Sequence, residues 1–393
     1  MNRGFISLAL ILLTACKIHP VFAQGGKGGM SVSGVFESSV SANAGAGDAL
    51  PFSYGVEEYA NIRMQSKIGE NAVFFGAVNL IAAAGDYALM ASVTGVDIDV
   101  GENYAALIEL ERLYFRLKSE TVNFDAGLMR LPFGYSQVWG PSDFLNPKNP
   151  LKPDARPRAI LGGGLSWYPV DDFKLQGFAA AGRDPLARNS GIAGISADRH
   201  WDWASVQLLY SLERLDQFPS TDLNPWTHRA GLSVKADLEL GFVMDMLYVY
   251  NREIEDRVDG LSLSAGFDYS LLGANLIILA EYLYSGAASS TTVAGGGSFV
   301  NRNYLYTGFT WRFSDYTSAG LALITGIDDV SFVPLVTFNH DLFQAVTLTV
   351  MAQIPVDRDL LFSDGNRGEL GPLPPGVQAG SNFYMETKIR LRF

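Results

Sequence analysis

From Met30 onward, apolar and polar residues alternate in runs of roughly ten to fourteen positions, separated alternately by short turns and longer polar stretches. The last run is the plainest. Phe383, Met385, Thr387, Ile389, Leu391 and Phe393 fall on one side, and Tyr384, Glu386, Lys388, Arg390 and Arg392 on the other. Successive side chains of an extended chain point to opposite faces, so this spacing predicts a strand with one apolar and one wet face. Likewise Val346, Leu348, Val350, Ala352 and Ile354 stand opposite Thr347, Thr349 and Gln353, and Leu261, Leu263, Ala265, Phe267 and Tyr269 opposite Ser262, Ser264 and Asp268.

Tight turns are predicted at Gly69-Glu70, Ser119-Glu120, Val170-Asp171-Asp172, Trp201-Asp202, Glu239, Leu271 to Gly273, Ser314-Asp315 and Leu342-Phe343. Short turns at one end and long loops at the other are the rhythm of an all-β, antiparallel up-and-down transmembrane barrel. Both termini then lie on the short-turn side, which requires an even strand number. Gly191 to Arg199 descending, a turn at His200 to Trp203 and Ala204 to Glu213 climbing back give about 18 strands. Reading Trp201 to Leu215 as an amphipathic helix in an external loop gives about 16 instead.

In hydrocarbon each unpaired backbone amide is costly, and only a closed sheet leaves no open edge. A barrel of roughly 16 to 18 strands leaves a lumen wide enough for water and small solutes. Passive diffusion of small hydrophilic solutes or ions is the expected activity. A surface adhesin or structural barrel whose conduction is incidental is the alternative.

Composition agrees with this picture. Aromatics are plentiful and charged residues make up 18%. Past the signal region no apolar run reaches the roughly 18 residues a spanning helix needs. The net charge of -12 argues against a nucleic-acid partner. Residues 1–23 read as a secretory signal peptide, with Arg3, an apolar run from Phe5 to Ala15 and Val21-Phe22-Ala23 before Gln24. Residues 24–393 then form one barrel domain. Leu13-Thr14-Ala15-Cys16 also fits a lipobox, in which Cys16 is lipidated. Cleavage after Ala23 instead removes the only cysteine, and with it disulfides and cysteine chemistry.

The ending Ile389-Arg390-Leu391-Arg392-Phe393 resembles the carboxy-terminal signature of Gram-negative outer-membrane barrels, with Thr387 more polar than usual. The whole mature chain is similar to the larger porins of 16 to 18 strands. The resemblance implies an outer-membrane location in contact with lipid and recognition of Phe393 by the barrel-assembly machinery. It also implies a homotrimer, as in many porins, and a long loop folded inward to narrow the pore, for which residues 135–158 are the candidate.

Pro141, Pro147, Pro150, Pro153 and Pro157 stiffen that stretch and remove backbone donors, so it is no central strand. Asp143, Asn146, Lys148, Lys152, Asp154, Arg156 and Arg158 are its candidate constriction residues, locally basic in an acidic chain; basic rings favour anions. The plainer reading is a loop that caps the rim or packs on a neighbour through Trp139 and Phe144. Strand parity places Arg229, Lys235, Asp245, Asp268, Lys388, Arg390 and Arg392 on the pore wall, with Glu281 among them. Arg112 and Arg116 join them only if their strand reverses phase relative to Ile108 and Leu110.

No cofactor or metal is expected. Asp86, Asp97, Asp99 and Glu102 lack the spacing of a calcium loop. The four histidines, His19, His200, His228 and His340, have no nucleophile motif beside them, and GxSxG, HExxH and phosphate loops are absent from the sequence. The sequence therefore points away from an enzyme.

Overall fold

The computed structural model describes residues 29–45, 52–85, 104–148, 150, 157–181, 191–214, 226–251, 257–286, 301–328, 330–354, 356 and 381–393. The signal region, including Cys16, and the acidic loop bearing Asp86 to Glu102 lie outside these residues.

The strands are β1 (Met30–Gly45), β2 (Phe52–Ile68), β3 (Ala72–Gly85), β4 (Tyr104–Lys118), β5 (Val122–Met129), β6 (Ile160–Val170), β7 (Phe173–Ala181), β8 (Gly191–Trp201) and β9 (Ala204–Arg214). They continue as β10 (Trp226–Asp237), β11 (Gly241–Tyr250), β12 (Leu261–Leu271), β13 (Leu276–Ser285), β14 (Asn303–Ser314), β15 (Thr317–Gly326), β16 (Ser331–Phe343), β17 (Val346–Gln353) and β18 (Ser381–Arg392). Each pairs antiparallel with its sequence neighbours, and β1 pairs with β18, closing an 18-stranded barrel. The alternative helix from Trp201 is excluded, because β8 and β9 pair from Gly191↔Arg214 to Trp201↔Ala204.

Alternation holds around the barrel. Ile108 (67% exposed), Leu161 (61%) and Leu208 (56%) belong to an apolar outer band, whereas Ser264 and Gln353 are buried inside. Exposed Trp201, Trp203, Trp311, Phe313 and Tyr316 ring the short-turn end, and exposed Tyr54, Tyr210, Trp226 and Tyr250 stand toward the other end. The tight turns use left-handed backbone, with Gly69 at φ 67° and Gly273 at φ 66°.

One irregularity changes the interior. Pairing of β3 with β4 shifts between Ala77 and Val78, leaving Glu111 as an extra residue between Leu110 and Arg112. A bulge of this kind reverses phase. Ile108 and Leu110 face outward before it, and Leu113 and Leu117 after it, so Arg112 and Arg116 turn into the lumen.

At the seam the Gly34 N–H donates to the Phe393 carbonyl at 2.8 Å, and the Phe393 N–H returns a bond to the Gly34 carbonyl at 3.1 Å. A Cβ on Gly34 would lie 2.4 Å from the Phe393 ring, so the terminal aromatic can cross β1 only where no side chain stands.

Candidate functional site

After β5 the chain does not stay at the rim. From Arg130 it turns into the lumen and crosses from the β5–β9 side of the wall to β13. Leu131, Phe133 and Leu145 pack with Met129, Ile160, Phe178, Ile192 and Leu209 on the near side. Val138 and Trp139 pack with Leu283, Tyr304, Ile324 and Val333 on the far side.

Buried backbone N–H groups need acceptors, which is why loops ordinarily stay at the surface. Here the wall supplies them as side chains. Six consecutive amides, from Gly134 to Trp139, donate to three residues. Gly134 donates to Gln207 at 2.7 Å, and Tyr135 and Ser136 to the two oxygens of Asp245 at 2.9 and 3.0 Å. Gln137, Val138 and Trp139 donate to Glu281 at 3.0, 3.1 and 2.8 Å. The Trp139 indole donates to the Glu281 carbonyl at 3.0 Å, and Ser136 touches Ser264 through their hydroxyls. Asp245 and Glu281 are both 0% exposed. Gly134 must be glycine: its φ is 81°, and a Cβ would lie 2.3 Å from Asp245 Oδ2.

Several sequence-predicted residues sit in this assembly in roles other than lining. Asp143 accepts the Phe133 N–H, and Asn146 accepts the Leu131 N–H while donating to the Arg158 carbonyl at 2.5 Å, so both staple the loop to itself. Lys148 is exposed, but its ammonium donates to the Ser136 carbonyl at 2.5 Å, tying the two limbs together. Lys152, Asp154 and Arg156 lie outside the described residues. Arg229 points inward yet is sealed beneath the loop, paired with Glu213 at 2.5 Å and lying 5.0 Å from the centre of the Phe144 ring. Asp268 accepts the Gln137 side chain at 3.0 Å. Lys235, near the short-turn end, pairs with Asp237 at 2.9 Å. Burial, together with nearby Asp198 and Asp245, pushes the Tyr135 phenol up to about 12, so it carries no charge at neutral pH.

The wall from β1 to β5, with β18, differs. Four of its arginines are partly exposed: Arg112 20%, Arg130 23%, Arg390 24% and Arg116 37%. Glu111 is the hub, receiving Arg130 at 2.9 Å, Arg112 at 3.4 Å and the Asn61 amide at 2.6 Å. Arg63 donates to Asn61 at 2.6 Å, and Asn79 donates to Glu109 at 2.8 Å. Arg112 lies over Phe75 at 4.7 Å and Arg116 over Tyr114 at 5.5 Å, which holds the guanidiniums in place. Arg116 also pairs with Asp125, Arg390 with Glu37 at 2.7 Å, and Lys388 stands 3.5 Å from Glu386 and 3.8 Å from Glu37. Parity alone gave no reason to single out Arg63, Arg130 or Glu111, since two of the three depend on the bulge and the loop entry.

The arrangement is an eccentric passage, with the loop on one side and a mixed-sign, arginine-rich wall on the other. Among the described residues no group of His, Cys, Asp or Glu is placed to hold a metal ion.

No protein-family model matches the chain, and no curated protein matches it by sequence. Solved structures do. OccK8 (OprE) of Pseudomonas aeruginosa aligns with a TM-score of 0.54 at 11% identity, covering 93% of this chain and 98% of its own. The outer membrane protein opdK from Pseudomonas aeruginosa gives 0.57 at 7%, with coverage of 92% and 98%. OccAB4 of Acinetobacter baumannii gives 0.57 at 10%, with coverage of 93% and 98%. The chain shares their barrel fold. At such low identity the likeness extends to architecture over nearly the whole length, while the chemistry of the passage has to be read from this chain's own residues.

Proposed function

We propose that the protein is an outer-membrane channel for passive diffusion of small hydrophilic solutes. The observation that carries this reading is the passage itself: an 18-stranded closed barrel with an inward loop held on one wall, while charged side chains on the opposite wall keep access to the lumen. The apolar outer band between two aromatic zones suits a bilayer, where an outward Lys or Arg at the midplane would cost about 2 to 4 kcal/mol. One of the solved structures the chain resembles, opdK, is an outer membrane protein, which fits that location. Exposed Phe393 suits recognition by the barrel-assembly machinery, and a homotrimer belongs to the same reading.

Selectivity is part of the proposal. Lys152, Arg156 and Arg158 bias the passage toward anions, against Asp154. Refolded protein in planar bilayers should give stable conductance steps, and a salt gradient should give a reversal potential on the anion side. Replacing Lys152 and Arg156 by Glu should move that potential toward cations. Silence from protein whose gel mobility shows a folded, heat-sensitive barrel would overturn the channel reading.

A further inference from the structure

We propose that the outer face of β18, β1 and β2 is a docking surface for a second copy of the protein, with Glu58 as its polar anchor. The inference rests on the outer-membrane reading above and adds a partner surface to it.

The case starts from parity on β2. Tyr54, Ile62 and Met64 are exposed on the outer side, whereas Asn61 is buried on the lumen side, so Glu58 faces outward with the first three. It stands in the body of β2, below Tyr54 of the aromatic zone and above Ile62 and Met64, at a depth that belongs to hydrocarbon. Among the described strand residues, the other outward Asp, Glu, Lys or Arg side chains are Arg199 and Arg214, and both lie close to strand ends. A charged side chain at lipid depth is costly, and where one persists it marks a site with a partner.

The barrel itself supplies little of that partner. Glu58 accepts one hydrogen bond, from the Ser38 hydroxyl of β1 at 2.8 Å, and its other oxygen is buried without a partner among the described residues. Ala82 of β3 lies directly opposite it, Ala106 of β4 opposite Ala82, and Ala60 follows on the same face of β2. By contrast, Leu161, Leu165 and Trp167 of β6 are bulky and exposed to lipid. Apolar surfaces gain nothing in a bilayer from leaving water, so association there depends on close approach of backbones and on hydrogen bonds, as it does between membrane helices. Acyl chains carry no donor for Glu58.

The same face carries one. Thr387, polar where the terminal strand is otherwise apolar, faces outward on β18 opposite Val40, two positions along β1 from Ser38. Copies in one membrane are related by rotation about its normal, which preserves depth and sets the β2 side of one patch beside the β18 side of the next. The second copy's Thr387 hydroxyl then donates to the Glu58 carboxylate, whose flexible stem turns the unpartnered oxygen toward it, and the alanines let the two walls approach.

The mass of native protein extracted from outer membranes in mild detergent, with and without prior cross-linking, tests the surface. Wild type should contain more than one barrel. Glu58→Leu should weaken association about tenfold or more, the change expected from losing one hydrogen bond to a charged group, and Thr387→Val should act in the same direction. Glu58→Gln keeps an acceptor in place and should retain most of the association. Heat-shifted gel mobility shows that each variant barrel folds. If Glu58 faces lipid instead, Glu58→Leu leaves the mass unchanged and makes the barrel more heat-resistant. That outcome, or a wild type that is a single barrel even after cross-linking, overturns the docking surface and leaves the channel reading intact. Associated copies that never conduct in bilayers overturn the channel reading and leave the surface standing.

Discussion

The two sides of the lumen use the same kind of side chain for opposite ends. On the β9–β13 side, Asp245 and Glu281 face inward, are completely buried and spend their oxygens on loop amides. On the β1–β5 side, Glu111 and Glu37 face inward and spend theirs on arginines that remain in contact with the lumen. A carboxylate satisfied by backbone N–H groups shapes the passage, and one satisfied by guanidinium sets its local charge balance. Counting acids and bases around a barrel therefore does not give its selectivity, because the loop decides which of them meet water.

The contrast breaks most sharply at Gly134. Gly134→Val adds a Cβ into Asp245 and forces a branched side chain to φ 81°, at a cost of roughly 1 to 3 kcal/mol for the backbone alone. Steady conductance steps should be lost in bilayer recordings, while heat-shifted gel mobility should show that the barrel still forms.

Next is Trp139→Ala, which removes the indole bond to the Glu281 carbonyl and the contact with Tyr304 at a ring separation of 5.6 Å. A buried tryptophan truncated in this way typically costs about 3 to 5 kcal/mol. The loop tip, residues 134–139, should loosen, and limited trypsin digestion of refolded protein should cut faster after Lys148; an unchanged cleavage rate would show that the tip does not depend on this anchor.

On the opposite wall the effect should appear in selectivity. Glu111→Gln leaves Arg112 and Arg130 without their shared carboxylate, so the reversal potential in a salt gradient should move toward anions with steady steps retained. If step stability changed instead, the division between shaping and charge-setting walls would fail.

The smallest effect is expected at Glu37→Gln. Arg390 and Lys388 lose a partner, but Lys388 keeps Glu386 at 3.5 Å, so the shift should have the same sign and be smaller than at Glu111.

The strands were legible because alternation is local: each residue of β18 declares its face through its immediate neighbours, and the lumen-facing Tyr384, Glu386 and Lys388 follow from that pattern. The strand count followed from turn chemistry and the requirement that both termini share one end. At β4 the same reasoning met a conflict between Ile108 and Leu110 on one hand and Arg112 and Arg116 on the other. A single extra residue, Glu111, resolves it; the break shows in the alternation, but only the pairing with β3 shows which residue is extra.

By itself, then, the amino-acid order determined a barrel of alternating strands, the inward face of regular strands such as β18 and the loop too proline-rich to be a strand. Only the tertiary structure decided that this loop hangs on Asp245 and Glu281, and that Arg229 is covered while Arg112, Arg116 and Arg390 are not. The physical reason is range. Alternation couples neighbours in the chain, whereas Tyr135 and Gln137 find their acceptors 110 and 144 residues away, at positions brought opposite them only when the sheet closes.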